Sequence, residues 1–196
     1  MRSTLLFLLF AVLAVTSSNA QESTDWDWAN HKYKSLFDEY FPLEEHLGAV
    51  ISFRYNEALM RDQLEYSFSF SRDYRSGAIN AVFRKAVSRS LYGQLLDNHL
   101  KDKSESIENI KAKIHVTVHE YSQDNCPALK TLFARFYKIR LEQPSPYTII
   151  LDPPNYEFEV SSLAGYAHFI IHEKDNPFVK WAYNVAEKME SCSLGK

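Results

Sequence analysis

The order of apolar and polar residues along the chain predicts four helices. Apolar side chains recur about every 3.6 residues in four stretches, which is typical of helices with one buried side. These stretches are 26–40, 76–100, 127–139 and 177–189. Ser76 is a favourable N-cap for the second and longest of them.

Alternation of apolar and polar residues, together with turn residues between the last stretches, predicts six strands. A period of two is typical of strands that bury one side only. The stretches are 48–55, 63–71, 110–119, 147–151, 155–161 and 166–173. In the second stretch Ser67, Ser69 and Ser71 alternate with aromatic residues, and we expect these serines to face solvent.

The predicted elements follow the order α-β-β-α-β-α-β-β-β-α. Three closely spaced strands before the last helix favour antiparallel pairing, and their alternation favours one covered and one open sheet face. We therefore expect residues 21–196 to form a single α+β domain, with a mostly antiparallel sheet and helices packed on one face.

The first 20 residues have the pattern of a cleavable signal peptide. A basic start with Arg2 is followed by an apolar run from Thr4 to Val15 and by small residues at Ser18 and Ala20, the positions that signal peptidase requires. The apolar run has about 12 residues, whereas a membrane-spanning helix needs roughly 20. The sequence predicts export without a stable membrane anchor. Because no Asn-x-Ser/Thr site occurs, it favours the bacterial periplasm or the extracellular space.

The net charge of the chain limits the classes of partner that it can bind. Removal of the predicted signal peptide would remove one charged residue, Arg2. The remaining chain has 21 basic and 25 acidic residues, a net charge of −4, which argues against a nucleic-acid partner.

The only two cysteines, Cys126 and Cys192, are expected to form a disulfide in an oxidising compartment. No sequence motif for a cofactor or a structural metal occurs, so we predict neither.

Histidines are the most suggestive candidates for chemistry. His115 and His119 lie four residues apart in one predicted strand, and His168 and His172 lie four apart in another. Residues at this spacing point to the same side of a strand. We therefore expect all four on the open face. The other polar residues expected there are Lys111, Lys113, Thr117, Glu157, Glu159 and Tyr166.

Three interpretations of this face remain open. It could hold a metal ion, if histidines of neighbouring strands converge or a histidine joins Glu157 or Glu159. It could carry acid–base catalysis: His115–Val118 resembles the His-hydrophobic-Thr-hydrophobic tetrapeptide of the two-histidine phosphoesterases. That family needs two such motifs facing each other, and His168–Ile171 lacks the hydroxyl residue. The third interpretation is a solvated polar sheet face.

Missing catalytic signatures favour a non-enzymatic function. There is no Gly-x-Ser-x-Gly, His-Glu-x-x-His, Cys-x-x-Cys or phosphate-binding glycine loop. The leading hypothesis is an exported domain that binds a protein, a peptide, a glycan or a small molecule. The alternatives are a small hydrolase that uses the histidines and Thr117, and a carrier of an apolar ligand, which the 14% aromatic content would suit.

Overall fold

The computed structural model describes residues 25–43, 49–56, 64–140, 154–162 and 165–194. Five helices occur in these ranges: α1 (25–40), α2 (Leu91–Lys101), α3 (Ile107–Lys111), α4 (Ala128–Phe136) and α5 (Pro177–Leu194). The six strands are β1 (Ala49–Asn56), β2 (Tyr66–Arg72), β3 (Ile79–Ala86), β4 (Val116–Ser122), β5 (Asn155–Ser162) and β6 (Gly165–Ile171). No helix in these ranges has both the length and the apolar character needed to cross a membrane.

The strands form one sheet in the order β4-β3-β2-β1-β5-β6, and every neighbouring pair is antiparallel. Directly opposite residues point to the same side of a sheet. One side, here called the helix face, carries a row of phenylalanines at matching positions on five strands: Phe83, Phe68, Phe53, Phe158 and Phe169. The other side, here called the polar face, carries the intervening residues, among them Arg54 and Glu157.

Helices α4 and α5 cover the helix face. The ring of Trp181 in α5 lies 5.5 Å from that of Phe68 and 4.9 Å from that of Phe136 in α4, measured between centroids. Its indole N–H donates a hydrogen bond of 2.9 Å to the backbone oxygen of Leu132. Since a buried indole N–H is costly unless it is paired, this bond fixes the ring where it joins both helices to the sheet.

Helices α1, α2 and α3 form a second buried cluster, which also contains Ala86 at the end of β3. Tyr33 of α1 packs edge-on against Tyr92 of α2, with centroids 5.7 Å apart. Trp28 near the start of α1 stacks on His99 in the last turn of α2 at 3.8 Å. These contacts hold α1 along α2 beside the sheet.

The predicted α+β fold with an antiparallel sheet is confirmed. The helices predicted at 26–40, 127–139 and 177–189 correspond to α1, α4 and α5. The strands predicted at 48–55, 63–71, 155–161 and 166–173 correspond to β1, β2, β5 and β6. The predicted signal peptide at 1–20 and the predicted strand at 147–151 lie outside the described residues.

The long helix predicted for 76–100 is wrong in its first half, where residues 79–86 form strand β3. Ile79 and Phe83 are four residues apart, and this spacing satisfies both a helical period and an alternating strand. Ala81 decides between the two, because it is buried beside them while its neighbours are not. Pairing with β2 and β4 thus overrides the helical pattern.

Local backbone geometry separates β3 from α2. Ser88 has a φ of 69°, a left-handed conformation that interrupts a right-handed helix. Helix α2 then begins after Ser90, whose hydroxyl oxygen accepts a hydrogen bond of 2.9 Å from the N–H of Gly93. The N-cap of this helix is therefore Ser90 and not the predicted Ser76.

The strand predicted at 110–119 is also partly wrong. Helix α3 occupies the first positions, capped by Ser106, whose hydroxyl accepts the N–H of Asn109 at 3.3 Å. Ile110 and Ile114 are buried, as the alternation requires, but in the cluster of α1 and α2. The sheet pairing of this segment begins only at Val116.

The serines expected on an open strand face are not all open. Ser67 is 1% exposed and Ser69 is 5% exposed. They point away from the phenylalanine row, as predicted, but Ser67 lies directly between Arg54 and Arg84 of the neighbouring strands. A short hydroxymethyl group between two long side chains is recessed from solvent, so the prediction of exposed serines is wrong here.

Cys126 and Cys192 form the predicted disulfide, with Cα atoms 5.5 Å apart. Cys126 lies just before α4, and Cys192 lies near the end of α5. The two helices pack against each other. The bond therefore connects the beginning of one covering helix to the end of the other across a 66-residue separation in sequence.

Replacement of both cysteines by alanine should lower the free energy of unfolding by about 4 kcal/mol, because the unfolded chain is no longer closed into a 66-residue loop. Urea denaturation of the wild type and of the Cys126→Ala, Cys192→Ala variant at pH 7 measures this difference. Reductant should destabilise the wild type alone. A loss below about 1 kcal/mol would contradict the loop-closure account.

A buried carboxyl joins α1, β1, β2 and α2. Glu65, which precedes β2, is 2% exposed, and its Oε2 accepts the N–H of Leu91 at 2.5 Å. The hydroxyl of Tyr33 lies 3.0 Å from Oε1 of Glu65 and 2.9 Å from Oδ1 of Asn56. A protonated Glu65 that donates to Tyr33, which in turn donates to Asn56, is one arrangement that satisfies all three groups. Burial raises the pKa of Glu65 to about 7, against the lowering effect of its hydrogen-bond donors.

We expect Glu65→Gln to remove a pH dependence of stability. The raised pKa means that the folded chain binds more protons than the unfolded chain between about pH 4.5 and pH 7, so wild-type stability falls as the pH rises through this window. The glutamine amide reproduces the neutral carboxyl. Relative to the wild type, the variant should gain about 3 kcal/mol in unfolding free energy between pH 5 and pH 8.

Chemical denaturation at the two pH values measures this gain. Glu187→Gln, at an exposed position of α5, is the matched control and should leave the wild-type pH dependence in place. Parallel pH profiles for the wild type and Glu65→Gln would show that Glu65 does not titrate in this window.

Candidate functional site

The four candidate histidines lie at the two opposite edges of the sheet. His115 directly precedes β4 and His119 lies within it, whereas His168 lies within β6 and His172 directly follows it. Four strands separate β4 from β6, which places the two pairs about 24 Å apart at about 4.8 Å per strand step. The four histidines do not form one cluster.

The histidines also differ in the face that they occupy. His119 lies opposite Phe83 and belongs to the helix face, while His168 lies opposite Glu159 and belongs to the polar face. The expectation that all four share one open face is therefore wrong, because it assumed that β4 and β6 present matching sides. Among the described residues, no three His, Cys, Asp or Glu side chains form a potential metal-binding group.

The phosphoesterase-like arrangement is not formed by the two stretches proposed for it. His115–Val118 and His168–Ile171 lie at opposite edges and share no cleft. The backbone N–H of His115 donates to Oε1 of Gln94 at 2.7 Å, and the hydroxyl of Thr117 donates to the backbone oxygen of Lys85 at 3.3 Å. Both contacts hold the start of β4 against its neighbours.

Two lysines proposed for the open face lie elsewhere. Lys111 ends α3 and forms an ion pair of 2.9 Å with Glu39 of α1. Lys113, between α3 and β4, pairs with Glu105. Both residues join the helical cluster and the connection that follows it, so they do not contribute to a sheet surface.

The remaining polar candidates do come together, on the polar face of β5 and β6. Nε2 of His168 lies 2.7 Å from Oε1 of Glu157 on the neighbouring strand. The hydroxyl of Tyr166 donates a hydrogen bond of 2.6 Å to Oε1 of Glu159. Tyr166 is 61% exposed, so its ring remains accessible while its hydroxyl is oriented. The structure brings these four side chains into two adjacent cross-strand pairs.

Arg54 of β1 lies directly opposite Glu157 on the polar face and binds its carboxylate. Its Nε donates to Oε2 of Glu157, and its Nη1 donates to Oδ1 of Asp38 in α1 at 2.6 Å. The guanidinium also lies over the ring of Phe37, 5.3 Å from the centroid. A continuous polar chain thus runs from Asp38 through Arg54 and Glu157 to His168 at the surface.

The charges of this chain are mutually stabilised. Burial alone would raise the pKa of Glu157, but the hydrogen bond and charge of Arg54, with His168, hold that pKa below its ordinary value. Burial alone would lower the pKa of Arg54, but its bonds to Glu157 and Asp38 raise it. Both groups therefore keep their charges at neutral pH, and the carboxylate holds the His168 ring in place.

Among the strands that the structure describes, β6 forms the sheet edge beside this group. An edge strand has a row of backbone N–H and C=O groups with no strand beyond it. Tyr166 is 61% exposed and Ile170 is 49% exposed on the polar face of this strand. Residues 165–171 contain no Lys, Arg, Asp, Glu or Pro, the residue types that commonly protect an edge from further pairing. This arrangement is suited to adding another strand.

Sequence reasoning missed three residues of this site: Arg54, Asp38 and Ile170. The alternation in β1 places Arg54 on the other face of the strand from Phe53 and Tyr55, so the sequence does predict the face of Arg54. Its contact with Glu157 depends on β1 lying next to β5, and that neighbour relation spans about 100 residues of sequence.

Comparison of the chain with protein-family models, curated proteins and solved structures finds no match.

Replacing Arg54 by methionine should destabilise the fold by about 2 kcal/mol, because it removes charge-assisted bonds from a carboxylate that is 16% exposed. Urea denaturation measures the loss. In the Glu157→Gln background the cost should be at least halved, since that carboxylate is then absent. The matched control is Arg72→Met at the exposed end of β2, expected to change stability by less than about 0.5 kcal/mol. An equal cost of Arg54→Met in both backgrounds would contradict the coupling.

Proposed function

We propose that this protein is an exported, non-enzymatic interaction domain that binds an extended polypeptide segment by strand addition at β6. The observation that carries the proposal is the position of β6 at the edge of the sheet formed by the described strands, with the exposed side chains of Tyr166 and Ile170 on it. In strand addition, backbone hydrogen bonds supply affinity and the side chains next to the edge supply selectivity.

The side chains on the polar face of β6 favour a polypeptide over a glycan or a small molecule. Tyr166 and Ile170 offer apolar surface two residues to each side of His168, at the spacing of side chains along one face of a strand. Glu157 fixes the His168 ring between them, and Tyr166 is fixed by Glu159. An added strand would meet a preorganised row of apolar, polar and apolar positions.

The separation of the histidines supports binding over hydrolysis. A general acid–base pair must reach one substrate atom at hydrogen-bond distance. His115 and His119 lie about 24 Å from His168 and His172 across the sheet, on the strand spacing given above. The carrier alternative needs an internal cavity, whereas the core between sheet and helices contains rings in contact, such as Phe53 and Phe158 at 4.8 Å.

We further propose that the domain acts in the bacterial periplasm or in the extracellular space. The signal-peptide pattern of residues 1–20 supports export. The Cys126–Cys192 disulfide is compatible with an oxidising compartment, where such bonds persist.

The test is selection of a phage-displayed library of linear 12-residue peptides on the wild-type protein, followed by fluorescence anisotropy of synthetic binders. We expect Ile170→Lys to weaken binding at least about tenfold, because lysine on an edge opposes strand pairing. Val118→Lys is the matched control: Val118 is 55% exposed on the opposite edge strand, β4, and its replacement should leave Kd unchanged.

N-methylation of the bound peptide identifies the binding mode. In an added strand only alternate N–H groups point toward the edge, so methylation should abolish binding at alternate positions. A library without binders, or binders equally tight on Ile170→Lys, would refute the proposed function.

A further inference from the structure

The β6 strand has an internal symmetry that bears on its partner. His168 is its middle residue, and Tyr166 and Ile170 lie two positions before and after it on the polar face. Ala167 and Phe169 flank His168 on the helix face. On the polar face, two large side chains therefore lie at equal distances before and after His168. On the helix face, a small residue and a large one lie at equal distances before and after the same position.

We infer that the segment bound at β6 is the β6 strand of a second copy of this chain, paired antiparallel with His168 at the twofold axis. This inference rests on the strand-addition role proposed above and names its partner. In this register Tyr166 lies opposite Ile170 of the second copy, and Ala167 lies opposite its Phe169. Aromatic–β-branched pairs directly across an antiparallel ladder are favourable, and a small residue opposite a large one avoids steric conflict.

The charges near the axis are compatible with this pairing. Because residues 165–171 contain no Lys, Arg, Asp or Glu, no two permanent charges of the same sign come directly opposite each other. The two His168 rings meet at the axis, where each already has its own Glu157 carboxylate as a partner at 2.7 Å. Glu159, next to His168 on β5, is bonded by Tyr166 of the same copy.

The other edge of the sheet does not have this complementarity. Pairing β4 with itself about its middle residue, His119, would place Val118 opposite Glu120 of the second copy. A carboxylate against an exposed apolar side chain is an unfavourable cross-strand pair. The two edges therefore differ in self-complementarity, which makes the pairing specific to β6 and the assembly a closed dimer with one isologous interface.

Cysteine cross-linking tests the register. Cα atoms of directly opposite residues in an antiparallel pair lie about 4.5–5.5 Å apart, within reach of a disulfide. His168→Cys should therefore give covalent dimers under mild oxidation. Tyr166→Cys should not, because its two copies lie about 14 Å apart. Tyr166→Cys combined with Ile170→Cys should cross-link again. The native cysteines do not interfere, since both are already bonded.

Sedimentation velocity on the purified protein tests the assembly without cross-links. We expect a dimer for the wild type and for Val118→Lys, and a dissociation constant at least about tenfold higher for Ile170→Lys, by the same edge-lysine effect. A monomeric wild type at 100 µM, together with no covalent dimer of His168→Cys, would overturn the inference.

The two proposals can fail separately. If the wild type is monomeric but library peptides bind it and are lost with Ile170→Lys, strand addition stands and the second copy is not the partner. If dimers form with the wrong cross-linking pattern, such as Tyr166→Cys alone, the register centred on His168 is refuted. If peptides and dimers are both absent, the proposed function fails as well.

Discussion

The row of phenylalanines across the helix face is the constraint on which the rest of the structure depends. Phe83, Phe68, Phe53, Phe158 and Phe169 occupy matching positions on five neighbouring strands. A slip of one residue in any strand would turn its phenylalanine to the wrong side of the sheet. Burial of these rings beneath α4 and α5 therefore fixes the register of the strands that carry them.

The candidate site follows from that register. With Phe53 and Phe158 on the helix face, Arg54 and Glu157 must project from the polar face at adjacent positions of neighbouring strands. With Phe169 on the helix face, His168 and Ile170 must project beside them at the edge. A polar surface chain of this kind therefore needs no dedicated loop, because it is the reverse side of the hydrophobic core.

The prediction from sequence was most accurate where a segment had only one interpretation. The alternation of β2 and β5 and the amphipathic patterns of α1 and α5 gave the correct element types. It failed where a segment fitted two patterns, as at Ile79 and Phe83, whose spacing suits a helix as well as a strand. In both misassigned segments several residues expected to be buried, such as Phe83 and Ile114, are buried by partners that the local pattern does not reveal, whereas Val87 and Val118 are exposed.

The sequence by itself determined the α+β class, the cysteine pair and the sides of β5 and β6 from which Glu157, Glu159, Tyr166 and His168 project. These properties follow from local periodicity and from the scarcity of cysteine. Only the tertiary structure decided that β4 and β6 are opposite edges, that Arg54 reaches Glu157 and that the histidines stay apart. Strand order is set by contacts between residues distant in sequence, and no local pattern encodes it.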